Sequence, residues 1–289
     1  MAKFSPNTTA VITGATSGIG FALAKQLVKS SVFVIGIGRS DQRNSMAKEK
    51  ILADVPNGSL EYLNADLAQL ENVETVARAI QDHLIAKGHF HLDILVNNAG
   101  AYLEHKEKTS DGIEKTFAVN HLAQFGLTFF LRSLLAKSHH GKMISVSSYA
   151  HFNTPMNLGR IVDPWPYFGL LAYKRSKLCN VLFVQSISKR RTHFNAYAAD
   201  PGLVNTRIAS KSGAGISDFV WSFRKRSGMP PEISAMNLLS IITTEAFDNL
   251  DGVYIKERKV ILPSKKAQDI ELAERLWDLS CELTGLDWD

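Results

Sequence analysis

Tyr173 and Lys177 stand four residues apart in "YKRSK", with an apolar run behind them at Leu178, Val181, Leu182, Phe183 and Val184. On a helix that spacing puts both side chains on one face, about one turn apart. The chemistry such a pair can do is proton transfer. A tyrosine at its ordinary pKa of about 10 is a poor acid or base near neutrality. A neighbouring ammonium favours the phenolate and makes the ring useful. Taken alone, the pair reads as a packed tyrosine beside a solvated lysine, and the rest of the chain has to decide. A second set of residues, "TGATSGIG" from Thr13 to Gly20, places glycines at 14, 18 and 20. Glycines there permit a tight turn and close backbone approach, and a helix opening behind them offers free N–H groups to a pyrophosphate. The spacing is G-x-x-x-G-x-G rather than the G-x-G-x-x-G dinucleotide fingerprint.

These residues need elements to hold them, and the pattern supplies them. "TAVIT" reads as a strand directly before the glycine turn, and "GFALAKQLVKS" as the helix after it. Further buried strands are expected at "VFVIGI" (32–37), "LEYLNA" (60–65), "DILVNNAG", "KMISVSS", "NAYAADPG" and "GVYI" (252–255). Between them lie helical patterns from about Glu71, over "GIEKTFAVNHLAQFGLTFFLRSLL", and at the "YKRSK" segment. Alternation of this kind predicts an α/β fold: a single-domain, Rossmann-like, doubly wound parallel sheet of about seven strands with helices on both faces. No repeat or linker divides residues 1–289. The expected division of labour is a cofactor-binding half over about 7–150 and a catalytic and substrate half over about 140–289.

With 289 residues, 45% hydrophobic and 21% charged, the chain can bury a sizeable core. No apolar run reaches the roughly 18–20 residues that span a bilayer. The polar start "MAKFSPNTT" reads as no signal peptide, and the two cysteines, Cys179 and Cys281, are too few for a disulfide framework. A cytoplasmic protein with two buried thiols is the expectation. The net charge of +5 sits in short, scattered clusters such as "KRR" (189–191) and "RKR" (224–226). That excludes an aromatic-interleaved nucleic-acid surface. The nine histidines show no metal-ligand spacing, so neither nucleic acid nor metal is expected.

In this order the motifs resemble the short-chain dehydrogenase/reductase family. Thr13–Gly20 matches its T-G-x-x-x-G-x-G, Asn97–Gly100 its N-N-A-G, and Tyr173 with Lys177 its Y-x-x-x-K. Pro201–Gly202, with Val204 and Thr206, matches its P-G-x-V-x-T, Asp66–Leu67 its Asp-Leu pair, and Asn120 its helical asparagine. "FAVNHLAQFGLT", "VSSYAH" and "AERLWDLSCELTG" look like its retinol dehydrogenase and WW-domain oxidoreductase branch. That branch usually has Asn-Thr where Thr16–Ser17 stand here.

The resemblance implies an oxidoreductase that moves a hydride between nicotinamide and a carbonyl or alcohol of a lipophilic substrate. It implies catalytic roles for Asn120 (holding a water), Ser148 (a hydrogen bond to the substrate oxygen), Tyr173 (acid/base) and Lys177 (charge, and the nicotinamide ribose). Ser148 is preferred to Ser147 because the branch uses the serine 25 residues before the tyrosine. Implied cofactor contacts are Gly14, Thr16, Ser17, Gly18, Ile19, Gly20, Asp66, Leu67, Asn98, Ala99, Gly100, Tyr173, Lys177, Pro201, Gly202, Val204 and Thr206. An acid at the end of the second strand would select NAD(H). By alignment Gly38 holds that position and Arg39 follows, which implies NADP(H) over NAD(H).

The segment between Ser148 and Tyr173 is read as a loop beside the active site. Tyr149, Trp165, Tyr167 and Phe168 are substrate candidates there, with plain packing as the alternative for Trp165, Tyr167 and Phe168. Residues 207–240, with Trp221 in "FVWSFRKR", are read as a substrate lid. The alternatives for that segment are an ordinary packed helix and a peripheral contact with an anionic membrane surface. A homo-oligomer, dimer or tetramer, is expected by analogy. The competing function is an NADP(H)-binding redox sensor with little turnover, against which the complete set Asn120, Ser148, Tyr173 and Lys177 argues.

Overall fold

A computed structural model describes residues 4–190, 192–202 and 229–288. β1 (Thr9–Thr13) leads through α1 (Gly18–Lys29) to β2 (Phe33–Gly38), then through α2 (Asp41–Asp54) to β3 (Leu60–Asn64). α3 (Leu70–Ala86) carries the chain back to β4 (Ile94–Asn97). A helical turn, Lys115–Phe117, widens into a π-turn over Ala118–Leu122 and continues as α4 (Ala123–Lys137) to β5 (Lys142–Val146). α5 (Gly169–Lys189), β6 (Asn195–Asp200), α6 (Pro231–Thr243), the hairpin β7 (Val253–Lys256) and β8 (Lys259–Ile261), and α7 (Ile270–Thr284) follow.

The strands form one sheet in the order β3-β2-β1-β4-β5-β6-β7-β8. All neighbours are parallel except β7 and β8. The expected seven strands are thus joined by an eighth, antiparallel edge strand. "KVI" is too short and too exposed to carry an alternating signal, which is why it was not foreseen. Strands β1, β2 and β5 are buried along their whole length, as parallel strands covered on both faces must be. Successive β1 residues point to opposite layers: Val11 packs with residues of α3, α4, α5 and α7, and Ala10 and Ile12 with residues of α1, α2 and α6.

Two further differences from the sequence expectation have physical causes. α2 is mostly polar, burying only Asn44, Ala47 and Ile51, so its periodicity is weak; its signal is the Ser40 cap, which accepts from the Arg43 N–H. Residues 231–240, assigned above to the end of a lid, lie in α6, whose Ala235 and Leu238 are fully buried in the core beside α1. The lid reading fails for that stretch, because those apolar side chains are already committed to packing. Its remainder, with Trp221, lies outside the described residues. Of the two thiols, Cys179 is buried and Cys281 only half-buried.

Candidate active site

The sheet order reverses between β1 and β4, and in open α/β sheets a crevice opens beyond the carboxyl ends of the strands at such a point. Both nucleotide-type motifs lie there. Thr13 Oγ1 accepts from the N–H groups of Asn98 (2.9 Å) and Ala99 (2.8 Å). Asn98 returns the contact, donating from Nδ2 to the Thr13 carbonyl at 2.8 Å. The glycine turn is thereby clamped to the end of β4. Gly14 has φ +67° and Gly18 φ +55°, the left-handed region that glycine tolerates. At Gly20 a Cβ would stand 2.5 Å from both Asn98 Nδ2 and the Gly14 carbonyl oxygen, so no side chain fits. α1 begins at Gly18 with Ser17 as its cap residue, no side-chain cap bond and no acid in its first turn. Its leading N–H groups are left for an anion. Leu67 and Val119 line a small cavity with Thr13 and Ala99, and Asp66 receives the Ala68 N–H at 3.1 Å.

Asn120 occupies the π-turn, where the widened helix lets its amide reach out of the ladder. Its Oδ1 accepts from the Ala101 N–H (2.6 Å) and its Nδ2 donates to the Ala101 carbonyl (3.0 Å). Nδ2 also donates to Ser176 Oγ (2.9 Å), which in turn donates to the Tyr173 carbonyl (2.8 Å). Asn120 thus binds the loop after Gly100 to the turn of α5 that carries Tyr173. Lys177 is buried with it: Nζ donates to the Val146 carbonyl at 2.9 Å and lies 5.6 Å from the Tyr173 ring centroid. Burial lowers the Lys177 pKa to about 8, and the negative charge of Asp200 opposes that shift. A Cβ on Gly100 would stand 3.6 Å from Lys177 Nζ and 3.5 Å from Asn120 Oδ1, which places that glycine against both. Sequence spacing and tertiary structure therefore bring Asn98–Gly100, Asn120, Tyr173 and Lys177 to one place.

Ser147 and Ser148 part company here. Ser147 is buried and donates from Oγ to the Lys177 carbonyl at 2.7 Å. Ser148 is half-buried and its Oγ accepts from the Ala150 N–H at 3.2 Å. A hydroxyl that already accepts still has its proton to donate.

A family model for short chain dehydrogenases matches residues 8–216. The chain belongs to the short-chain dehydrogenase/reductase family. It is 32% identical over 286 residues to retinol dehydrogenase 12 of Mus musculus, covering 98% of this chain and 88% of that protein. It is 28% identical to polyprenol dehydrogenase of Homo sapiens, covering 97% and 86%. A crystal structure of a putative uncharacterized protein from Mycobacterium Paratuberculosis superposes with a TM-score of 0.76 at 26% identity, covering 98% of this chain and 95% of that one. As a short-chain dehydrogenase/reductase, the protein is an oxidoreductase acting on CH–OH or C=O groups, and the family binds nicotinamide cofactors. The clamped glycine turn, closed to a side chain at Gly20 and followed by free N–H groups at the start of α1, fits a dinucleotide.

The end of β2 bears on which dinucleotide. A Cβ on Gly38 would collide with Asn44 Oδ1 and stand 2.5 Å from Thr16 Cγ2. A side chain at this position, where an acid would bind the ribose of NAD(H), would have to displace the side chains of Asn44 and Thr16, and the exposed Arg39 follows it. Among the substrate candidates, Tyr149 is 57% exposed, Trp165 76% and Phe168 61%, which removes core packing as their role. Lys256 Nζ lies 4.4 Å from the Tyr149 ring centroid and Lys106 Nζ 5.8 Å from that of Trp165. Tyr167 instead packs, donating to the Leu103 carbonyl at 3.0 Å. Gly202 follows β6, its N–H on Asp200 Oδ1 at 3.0 Å, while Val204, Thr206 and Trp221 lie outside the described residues.

Sequence reasoning missed Tyr102, whose ring meets Tyr173 edge-on at 6.1 Å and with Ala150 forms a small apolar cluster around it. It missed Ser176 as the link to Asn120. The available signals were an aromatic two residues beyond N-N-A-G and a small polar residue inside Y-x-x-x-K. Among the described residues no helix is long and apolar enough to cross a membrane.

Proposed function

We propose that the protein is an NADP(H)-dependent dehydrogenase/reductase that interconverts an alcohol and a carbonyl on a lipophilic substrate. The observation that carries this reading is the buried Lys177 ammonium, one turn from Tyr173 and braced by Val146, at the crevice where the glycine turn ends. The NADP(H) assignment rests on Gly38, which carries no ribose-binding acid and is crowded by Asn44 and Thr16, and on the cation that follows it. The lipophilic substrate rests on similarity to proteins named retinol and polyprenol dehydrogenases, and on the apolar Tyr102 and Ala150 beside Tyr173.

The nicotinamide, when bound, supplies or takes up the hydride. Tyr173 donates the proton to the carbonyl oxygen in reduction and accepts it in oxidation. Lys177 keeps the phenolate accessible by its charge and holds the ribose hydroxyls. Ser148 donates its free hydroxyl proton to the substrate oxygen as negative charge develops there. Asn120 fixes the loop and the helix turn on either side of the site and holds the water through which the proton is exchanged.

The test is NADPH and NADH oxidation against a panel of retinoids, prenyl aldehydes, steroids and small aldehydes. NADPH is expected to be the better cofactor. Tyr173→Phe should lower turnover by about 10²–10⁴ while leaving NADPH binding nearly intact. Arg39→Ala should cut the preference for NADPH by about ten- to a hundredfold, the worth of one charge-assisted pair to a phosphate. Turnover unchanged in Tyr173→Phe would defeat the mechanism, and equal Kd values for the two cofactors would defeat the NADP(H) assignment. Cofactor binding with no turnover on any substrate would favour the redox-sensor alternative.

A further inference from the structure

His151 is fully buried three residues after Ser148, and the mechanism above does not use it. Its two ring nitrogens face partners that leave no choice of tautomer. Nδ1 lies 2.8 Å from the Ser148 carbonyl, which can only accept, so Nδ1 carries the proton. Nε2 receives the Ser264 N–H at 3.1 Å, which can only donate, so Nε2 keeps its lone pair. Burial lowers the imidazole pKa, in keeping with that neutral form. The Ser148 carbonyl also accepts the His151 backbone N–H at 3.1 Å, so this oxygen is held twice, once by main chain and once by the ring. The ring cannot swing, because Phe152 packs at 4.3 Å and Tyr254 meets it edge-on at 4.8 Å. Tyr254 in turn donates to Asp200 Oδ2 at 3.0 Å, and Asp200 Oδ1 receives the Gly202 N–H.

We propose that His151 is a positioning residue for catalysis: its Nδ1–H holds the Ser148 backbone so that the serine hydroxyl points at the substrate oxygen, and its Nε2 anchors that hold to the distant Ser264 segment. The inference rests on the role given above to Ser148. Without the ring bond, only the cap to Ala150 and one main-chain bond fix a half-buried serine at a strand end. A stabilising donor displaced by a fraction of an ångström loses much of its worth, because its value depends on being in place before charge develops.

The experiment compares the unaltered protein with His151→Asn, His151→Gln and Ser148→Ala. An asparagine amide N–H falls near the place of Nδ1–H, whereas a glutamine amide falls near the place of Nε2. His151→Asn should therefore keep kcat within about threefold, while His151→Gln should lose about tenfold in kcat, with KM and NADPH Kd within about twofold, a fraction of what removing the donor outright costs. A ¹⁵N ring spectrum of the unaltered protein should show one buried histidine, missing in the variants, as the neutral Nδ1–H tautomer. Equal kcat for the two His151 variants, while Ser148→Ala is impaired, overturns this inference alone. No turnover by the unaltered protein overturns the proposed function and this inference with it. If the variants do not fold, the His151 resonance is identified in the unaltered protein by its contacts with Phe152 and Tyr254: an Nε2–H or charged ring overturns the proposal, and the Nδ1–H tautomer upholds the hold on Ser148.

Discussion

Lys177 shows what a single side chain gains from being placed. Its spacing to Tyr173 was visible in the chain, but not its burial, and burial brings its pKa down to about 8. The sign follows directly. Below that pH the ammonium is present and steadies the phenolate; above it, the group is a neutral amine and the effect is lost. kcat/KM, which reports the free enzyme, should fall on its alkaline side near pH 8 in the direction of alcohol oxidation, where the phenolate is the base. In Lys177→Arg the limb should move beyond about pH 10 whatever the absolute rate, because a guanidinium does not deprotonate there. A profile flat from about pH 7 to pH 9.5 in the unaltered protein would remove the lysine charge from the mechanism. The choice between Ser147 and Ser148 has the same character. Both stand in "VSS", the resemblance favours Ser148, and what supports that choice is tertiary: the Ser147 hydroxyl is taken up by the Lys177 carbonyl. Neither that bond nor the Ser264 partner of His151 could be read from sequence, because 30 and 113 residues separate the pairs.

At the scale of elements, legibility followed hydrophobic pattern. The fully buried β1, β2 and β5 announced themselves as apolar runs, and the glycine turn announced the crevice. α2 is hidden because it is mostly polar and one of its three buried residues is Asn44, and α6 because the polar Ser234 and Asn237 are buried along with Ala235, Leu238 and Ile242. The junction of β2 with α2 is where element packing bears on the proposed cofactor preference. Asn44 of α2 donates to the carbonyls of Gly38 and Leu63, each at 3.3 Å, bridging the ends of β2 and β3. Its Oδ1 fills the space a side chain on Gly38 would need. Gly38→Asp, the substitution expected to recruit NADH, should therefore cost about 1–3 kcal/mol of stability from overpacking. Gly38→Asp with Asn44→Ala should cost less than the sum of the two single changes, by about 0.5–3 kcal/mol for residues in contact. Urea denaturation of the four proteins measures this, and strict additivity would show that the two positions do not compete for space.

The whole molecule closes through His121, beside Asn120 of the candidate site. Its Nε2 lies 2.8 Å from Ser280 Oγ on α7, 159 residues away. Its ring stacks on Phe117 at 5.2 Å and meets Phe183 of α5 edge-on at 5.9 Å. One imidazole thus ties the π-turn, the helix of Tyr173 and the C-terminal helix together. Complete burial drives its pKa down to about 3. The folded protein keeps it neutral across the range where the unfolded chain, near 6.5, takes up a proton. Between those values the unfolded state binds more protons, so stability must fall as pH falls, by up to about 1.4 kcal/mol per pH unit from this group. His151, also lowered by burial, adds in the same direction, and Glu114, raised by burial, opposes it. The His121 share is isolated by substitution. His121→Gln keeps a polar group near Ser280 but has no proton to gain. Its difference in unfolding free energy between pH 7 and pH 5 should be about 2 kcal/mol smaller than that of the unaltered protein, whatever its stability at pH 7. Chemical denaturation at the two pH values reads this directly. Equal differences in the two proteins would mean that His121 is protonated in the native state, and the packing of three helices around a neutral ring would then have to be wrong.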